Sequence, residues 1–500
     1  MKINNLEQDN ENIPIKLFDN TENNSYNTNL KNKPKNKYCT KTNIIFVLIA
    51  FLIFLMIYLA DNNRTIIELN LKIEKLESKL ELLNNEVIKK KIGIAFVNPI
   101  LYGNGIGRLL TTLTELLMKT GKFDVYIINE KATEFDFKYH KKVKREIQKK
   151  NEEIMRDFDE ANDIQIYILN NDVSNALDIY KSLGKKVIGI FHGVYLSCVF
   201  TNDPLIYRSW YAFQKFDSFV HIIPDDYYVY KKFGFNNSIF IPNLYTFNPD
   251  NVTSSRLEYP NVLILGRVDD IIKGGKYGIL AMSEIVKEIP DARLTIVAPN
   301  HPKELFDLIK QLKIENNVQW FGYTKNVSQF YLNASVLLVT SVSESFPMVM
   351  NEAKAHGLPI VSFDIDYSPC FQKGVITVEM FNYTLMAKET IKLLSNYVYR
   401  KKIGKEAKLS LKMYNNNDTV NLWGDLFISL LNGTEDYRKI QEKVEKKYYN
   451  ETLAKAHLEK HYKYGQEFNN EHYKCHTFEN FTKLDYINKI EDCSQKNKTL

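Results

Sequence analysis

From Ile92 onward, short unbroken apolar runs alternate with polar stretches of helical spacing. Ile92 to Val97, Val125 to Asn129, Ile164 to Leu169, Val187 to Phe191 and Phe219 to Ile223 predict one set of strands. Asn261 to Leu265, Leu294 to Val297, Val318 to Phe321, Val336 to Val339 and Ile360 to Phe363 predict a second. Between the last two strands the segment Pro347 to His356 has helical spacing and ends at Gly357-Leu358-Pro359. Strand, loop, helix, strand is one step of a parallel sheet, and its loop lies at a strand's carboxyl end, where open α/β sheets take ligands. The expected fold class is α/β.

The pattern before Ile92 differs. Residues 1–43 are polar and Asn-rich, with too little apolar surface to fold, and predict a disordered tail. Ile44 to Ala60 carries no charge and would be about 25 Å long as a helix, close to a bilayer core. A buried core helix is the alternative, but isolation beside a polar tail favours a transmembrane signal anchor over 44–60. Lys31, Lys33, Lys35, Lys37 and Lys41 precede it, which places the N-terminus in the cytosol. Over 61–90, Ile66, Leu69, Ile73, Leu76, Leu80, Leu83 and Val87 follow heptad spacing. They predict a coiled-coil stem and a parallel homodimer, or else one helix packed on its own domain. Anchor, stem and globular part together predict a single-pass type II membrane protein of the Golgi or ER with a lumenal catalytic domain. Glycan acceptor sites at Asn63, Asn251 and Asn450, and a pairing of Cys475 with Cys493, follow from that compartment.

Composition narrows the classes. A 500-residue chain with 44% hydrophobic residues suffices for two or three domains. A net charge of +6, from 66 basic and 60 acidic residues, leaves no nucleic-acid footprint. Five cysteines without CxxC spacing argue against a zinc or redox site. The basic stretch Lys138 to Lys150 reads as a solvated helix face, or as a contact for anionic lipid or acceptor.

Candidate chemistry clusters at strand ends. Gly103, Gly105 and Gly107 precede an amphipathic helix, where backbone N–H groups approach an anion or sugar closely. Their spacing does not match the dinucleotide-binding pattern. Gly266-Arg267 and Lys273-Gly274-Gly275 follow the first strand of the second set. A forked guanidinium and a point-charge ammonium are the residue types that bind a diphosphate. Glu344 and Glu352 are spaced so that both face one crevice, or else they are ordinary helix charges. His192 closes a strand, whereas His221 lies within one and reads as a core or supporting residue.

Ser343-Glu344-Ser345-Phe346-Pro347 through Asn351-Glu352-Ala353 resembles the Glu-x7-Glu signature of the retaining glycosyltransferases of GT-B family 4. Gly-Arg at 266–267 with Lys-Gly at 273–274 resembles that family's diphosphate clamp. The resemblance covers 91 to about 435. It implies a GT-B fold of two Rossmann-like domains facing a cleft: an acceptor domain over 91–250, and a nucleotide-sugar donor domain over 256–435. It implies Glu344 and His192 beside the donor sugar as catalytic candidates, Arg267 and Lys273 on the diphosphate, and Glu352 on the ribose. Gly105, Gly107 and Gly322 would let backbone approach the donor. No D-x-D stands where a metal would be wanted, so no metal or other cofactor is expected. Asp366 to Cys370 departs from the family's glycine-rich loop, and the charged tail 436–500 has no readable role. The expected function is retaining transfer of a sugar from a nucleotide-diphosphate sugar to a hydroxyl of a glycan, lipid or protein. The alternatives are a catalytically silent lectin or tethering protein acting through its coiled coil, and a nucleotide-sugar epimerase.

Overall fold

The structure, a computed structural model, describes residue 50, residues 72–77, and residues 91–469 apart from 102–104, 148–150, 171–175, 194–212, 233, 269–271, 366–372 and 414. Residues 72–77 are helical. The other stem positions, the tail 1–43, the rest of the apolar span 44–60 and both tail cysteines lie outside the described residues. Among the described residues, no helix is long and apolar enough to cross a membrane.

The first sheet has seven parallel strands: β1 (Ile92–Val97), β2 (Phe123–Asn129), β3 (Lys144–Ile147), β4 (Ile166–Asn170), β5 (Lys186–Phe191), β6 (Ser218–His221) and β7 (Ser238–Phe240), in the order β3-β2-β1-β4-β5-β6-β7. The inner strands are nearly all buried because helices cover both faces, and this is why they read as unbroken apolar runs. Helix α1 (Gly105–Lys119) follows β1. Further on come α2 (Glu152–Ala161), α3 (Ala176–Ser182) and α4 (Pro224–Lys232).

The second sheet holds β8 (Asn261–Leu265), β9 (Arg293–Val297), β10 (Val318–Phe321), β11 (Val336–Val339), β12 (Ile360–Phe363) and β13 (Val375–Val378), all parallel, in the order β10-β9-β8-β11-β12-β13. Its helices are α5 (Gly275–Glu288), α6 (Lys303–Gln311), α7 (Ser328–Asn333), α8 (Met348–Ala355), α9 (Tyr383–Ser395) and α10 (Tyr397–Ser410). Four of its strands have the bounds their apolar runs predict. Edge strand β13 was not assigned from the sequence, although Val375-Ile376-Thr377-Val378 is largely apolar; only its last residue is buried.

The basic stretch from Lys138 is corrected. Its described residues, 138–147, form no helix; they contribute edge strand β3, and α2 begins only at Glu152, with Asn151 as its N-cap. Arg145 reaches Asp136 at 2.7 Å and Asn129 Oδ1 at 2.8 Å, while Lys144 Nζ donates to the Tyr126 hydroxyl at 2.8 Å. Charged side chains suit an exposed sheet edge because they oppose pairing with another chain.

The chain returns to the first sheet through α11 (Asn416–Asn432). Asn416 pairs with the backbone of Tyr245 in both directions, at 2.9 and 2.8 Å, and Phe427 packs edge-on against Phe123 at 5.5 Å. Helix α12 (Thr434–Tyr448) runs beside β7, where Tyr437 donates its hydroxyl to Asn237 O at 2.8 Å. Helix α13 (Glu451–Asn469) pairs with α4 through Glu451 and Lys232 at 2.7 Å, and reaches Asp364 beyond β12 through Lys460 at 2.6 Å. The described part of the tail therefore ties the two sheets together.

Candidate functional site

Strand order reverses between β8 and β11 in the second sheet, and between β1 and β4 in the first. Crevices at carboxyl ends of strands open at such points. Loops from both sheets line one cavity of about 410 Å³, with Gly105, His192, Gly193 and Asn243 on one side and Gly266, Arg267, Lys273, Ser341 and Glu344 on the other.

The second-sheet wall is built by a loop wedged against the end of β11. Gly274 has φ +58°, and a Cβ there would lie 2.4 Å from Thr340 O, so both backbone and space require glycine. Thr340 donates its hydroxyl to Lys273 O at 2.8 Å, and Val342 N donates to Ile272 O at 2.8 Å. This seats Lys273 against Glu344, which accepts from the Lys273 ammonium and, at 2.8 Å, from the Ser341 hydroxyl. Arg267 lies on the same wall.

On the opposite wall His192 follows β5. Its Nε2 donates to Asn170 Oδ1 at 2.8 Å, and the Asn170 amide donates to Val97 O at 3.2 Å, fixing the ring through β4. Burial pushes the imidazole down to about 4, so it is neutral at pH 7. Ser345, next to Glu344, donates its hydroxyl to His192 O at 2.7 Å. A Cβ at Gly105 would lie 3.1 Å from Met348 Cγ of α8, so a glycine suits the close approach of α1 to the second sheet. His221 is fully buried, paired with Ser238 Oγ at 3.1 Å, in keeping with a core role.

Glu344, Arg267, Lys273, His192 and Gly105 thus converge, whereas Glu352, Gly107 and Gly322 are not among the residues lining the cavity. Gly107 packs where a Cβ would meet Leu101 backbone at 2.8 Å, and Gly322 follows edge strand β10 with open space above it. Glu352, one turn further along α8 and 2% exposed, meets Arg108, Tyr331 and Thr246 instead. Burial pushes its carboxyl up, opposed first by Arg108 and then by the two hydroxyls. Asp225 and Asp226 sit in the first turn of α4, and Asp269-Asp270 lie outside the described residues. Sequence reasoning missed Asn170, Ser341 and Ser345. Small polar side chains at or just beyond the carboxyl ends of strands are the signal that would have found them.

Residues 250–410 match the family model described as glycosyl transferases group 1. An uncharacterized glycosyltransferase of Haemophilus influenzae is 36% identical over 135 residues, covering 27% of this chain and 38% of that one. The poly(glycerol-phosphate) alpha-glucosyltransferase of Bacillus subtilis is 25% identical over 205 residues, covering 39% of this chain and 29% of its own length. The chain thus spans well under half the length of either relative. Among solved structures, the sucrose-phosphate synthase of Thermosynechococcus elongatus superposes with a TM-score of 0.59 at 15% identity, over 69% of this chain and all of that one.

These relatives correct the expected location. Both curated relatives belong to bacteria, whose cells have no Golgi or ER lumen, and among the described residues no helix is long and apolar enough to span a bilayer. The type II lumenal reading is therefore given up, and the glycan sites and tail disulfide that depended on it lose their basis. Two parallel α/β sheets meeting at a cleft give the chain a GT-B-like fold, and its second sheet, over residues 250–410, is similar to the group 1 glycosyltransferases.

Proposed function

We propose that the chain is a retaining glycosyltransferase that moves a sugar from a nucleotide-diphosphate sugar to an acceptor hydroxyl. One observation carries the reading: the loops after β8 and β11 bring Arg267, Lys273 and Glu344 onto one cavity wall opposite His192 and Gly105. Two cations on one wall suit a leaving diphosphate, since charge that develops as the anomeric bond breaks is met by groups already in place. Glu344 accepts from the Lys273 ammonium on that wall, and in this reading it stands beside the donor sugar. Neutral His192, oriented by Asn170, offers the sugar a hydrogen-bonding ring at no cost in buried charge. The acceptor enters from the first-sheet side, so its hydroxyl and the anomeric carbon are held together by the two walls.

The test is release of nucleoside diphosphate by the full-length chain against a panel of UDP-, GDP- and ADP-sugars, with the anomeric configuration of the product read by NMR. Release with the donor's configuration kept supports the reading. Absence of release from the whole panel overturns the activity, and an inverted product overturns the retaining mechanism.

A further inference from the structure

Arg108, in the first turn of α1, crosses from the first sheet's half of the molecule to the second. Its Nη1 lies 2.9 Å from Glu352 Oε1 on α8, with the arginine 21% and the glutamate 2% exposed. The segment connecting the two sheets joins the same carboxylate, because Thr246 donates its hydroxyl to Oε1 at 3.1 Å. Tyr331 of α7 donates to Oε2 at 2.8 Å. Phe247 lies between the Arg108 guanidinium, 4.8 Å from its ring centre, and the edge of His356, at 5.4 Å. His356 in turn stacks on Tyr331 at 5.0 Å, and its Nδ1 is 2.7 Å from Glu352 O. Both halves and their connection therefore meet at one buried carboxylate.

The partners of Glu352 are not equivalent. Tyr331 belongs to the same half as Glu352, and Thr246 to the connecting segment, and both are neutral. Arg108 supplies a full charge, and it comes from the other half. A carboxylate this deeply buried is stable as an anion only with a cation beside it. Separating the halves withdraws that cation, so the attraction between the two charges favours the closed cleft and contributes nothing to an open one. Arg108 is three residues from Gly105, which packs on Met348, and the same closure sets Ser345 against His192 O at 2.7 Å.

We infer that Arg108 is a positioning residue: through Glu352 it holds the cleft closed, and so keeps His192 and Gly105 opposite Arg267, Lys273 and Glu344. Its effect on turnover rests on the function proposed above, whereas its effect on closure does not. The same pairing explains why Glu352 is engaged by protein groups and is not on the cavity wall.

The test uses full-length Arg108→Gln, Arg108→Lys, Glu352→Gln and the Arg108→Gln/Glu352→Gln double variant. Three quantities are measured: turnover of whichever donor the native chain uses, binding of UDP and GDP, and amide hydrogen exchange of α1 and α8. Arg108→Gln is expected to lower kcat by about 10- to 100-fold, the range of a lost charge-assisted hydrogen bond. Nucleoside diphosphate affinity should change by less than about threefold, because Arg267 and Lys273 both belong to the second half and folding is retained. Exchange should rise in both helices, and Arg108→Lys should restore most of kcat. The double variant should be no worse than Arg108→Gln, since no buried charge is then left uncompensated. Native turnover and exchange in Arg108→Gln would overturn the inference, as would losses that multiply in the double variant. Nucleotide affinity falling in step with kcat would also overturn it, because Arg108 would then act on nucleotide binding and not on closure. If the native chain releases nucleoside diphosphate from no donor, the proposed function fails, and hydrogen exchange alone then decides the role of Arg108.

Discussion

Replacing Lys273 by methionine keeps most of the apolar stem and removes the charge, which separates the chemistry of the cavity wall from its packing. Lys273 is 24% and Glu344 16% exposed, so their pair is shielded from solvent without being sealed. Two charges about 4 Å apart attract by about 4 kcal/mol at an effective dielectric constant near 20, most of which is offset by desolvation. A charge-assisted contact to a leaving diphosphate nets about 1.5 to 3 kcal/mol, and that predicts a loss of roughly 10- to 150-fold in kcat. Folding should suffer less, by about 1 kcal/mol, because Ser341 still donates to Glu344 and Gly274 still seats the loop. The assay is steady-state release of nucleoside diphosphate, with chemical denaturation of the same preparation beside it. A kcat within about twofold of native in a folded variant would refute the placing of the diphosphate at Lys273.

Further tests address the scaffold. Gly274→Ala should destabilise the fold by about 1 to 3 kcal/mol in denaturant titration, because its φ is +58° and a Cβ would lie 2.4 Å from Thr340 O; an unchanged midpoint would mean that the loop relaxes freely. Burial pushes His192 down to about 4 and His221 to about 3, below the ordinary value of 6.5, so the unfolded chain binds more protons as pH falls through that range. Stability should therefore be full above about pH 6.5 and decline toward pH 4, with His221→Phe flattening the decline; a profile flat from pH 6.5 to 4.5 would refute the buried neutral state. Tyr437→Phe removes the hydroxyl that α12 gives to Asn237 O at 2.8 Å and should cost about 1 kcal/mol, with a native melting temperature counting against α12 as a structural strap.

Where a strand is buried on both faces, one dimension of sequence is enough to see it, because every position must be apolar. That is why β8, β11 and β12 were legible to the residue, while the charged, exposed edge strand β3 was not; edge strands β10 and β13 are only partly buried, and of the two only β10 was assigned. Arg267, Lys273 and Glu344 were legible as neighbours of one cavity for a similar reason: each follows an apolar strand in a loop, and such loops open at the carboxyl edge whatever the rest of the chain does. Which side chains meet across the cleft was decided only in three dimensions. Spacing along α8 let Glu352 face the same crevice as Glu344, yet its direction is governed by Arg108, Thr246 and Tyr331, all remote from it in sequence. The glycines separated in the same way, with Gly105 on the cavity and Gly107 spent on packing against Leu101, a difference of sterics that composition cannot express. Tail residues 436–460 carried no pattern of their own, because a helix that straps two sheets is defined by the surfaces it covers: β7 and α4 at one end, Asp364 at the other. Local burial and loop position are properties of the sequence itself, whereas pairing between distant charges depends on how two separately legible sheets come together.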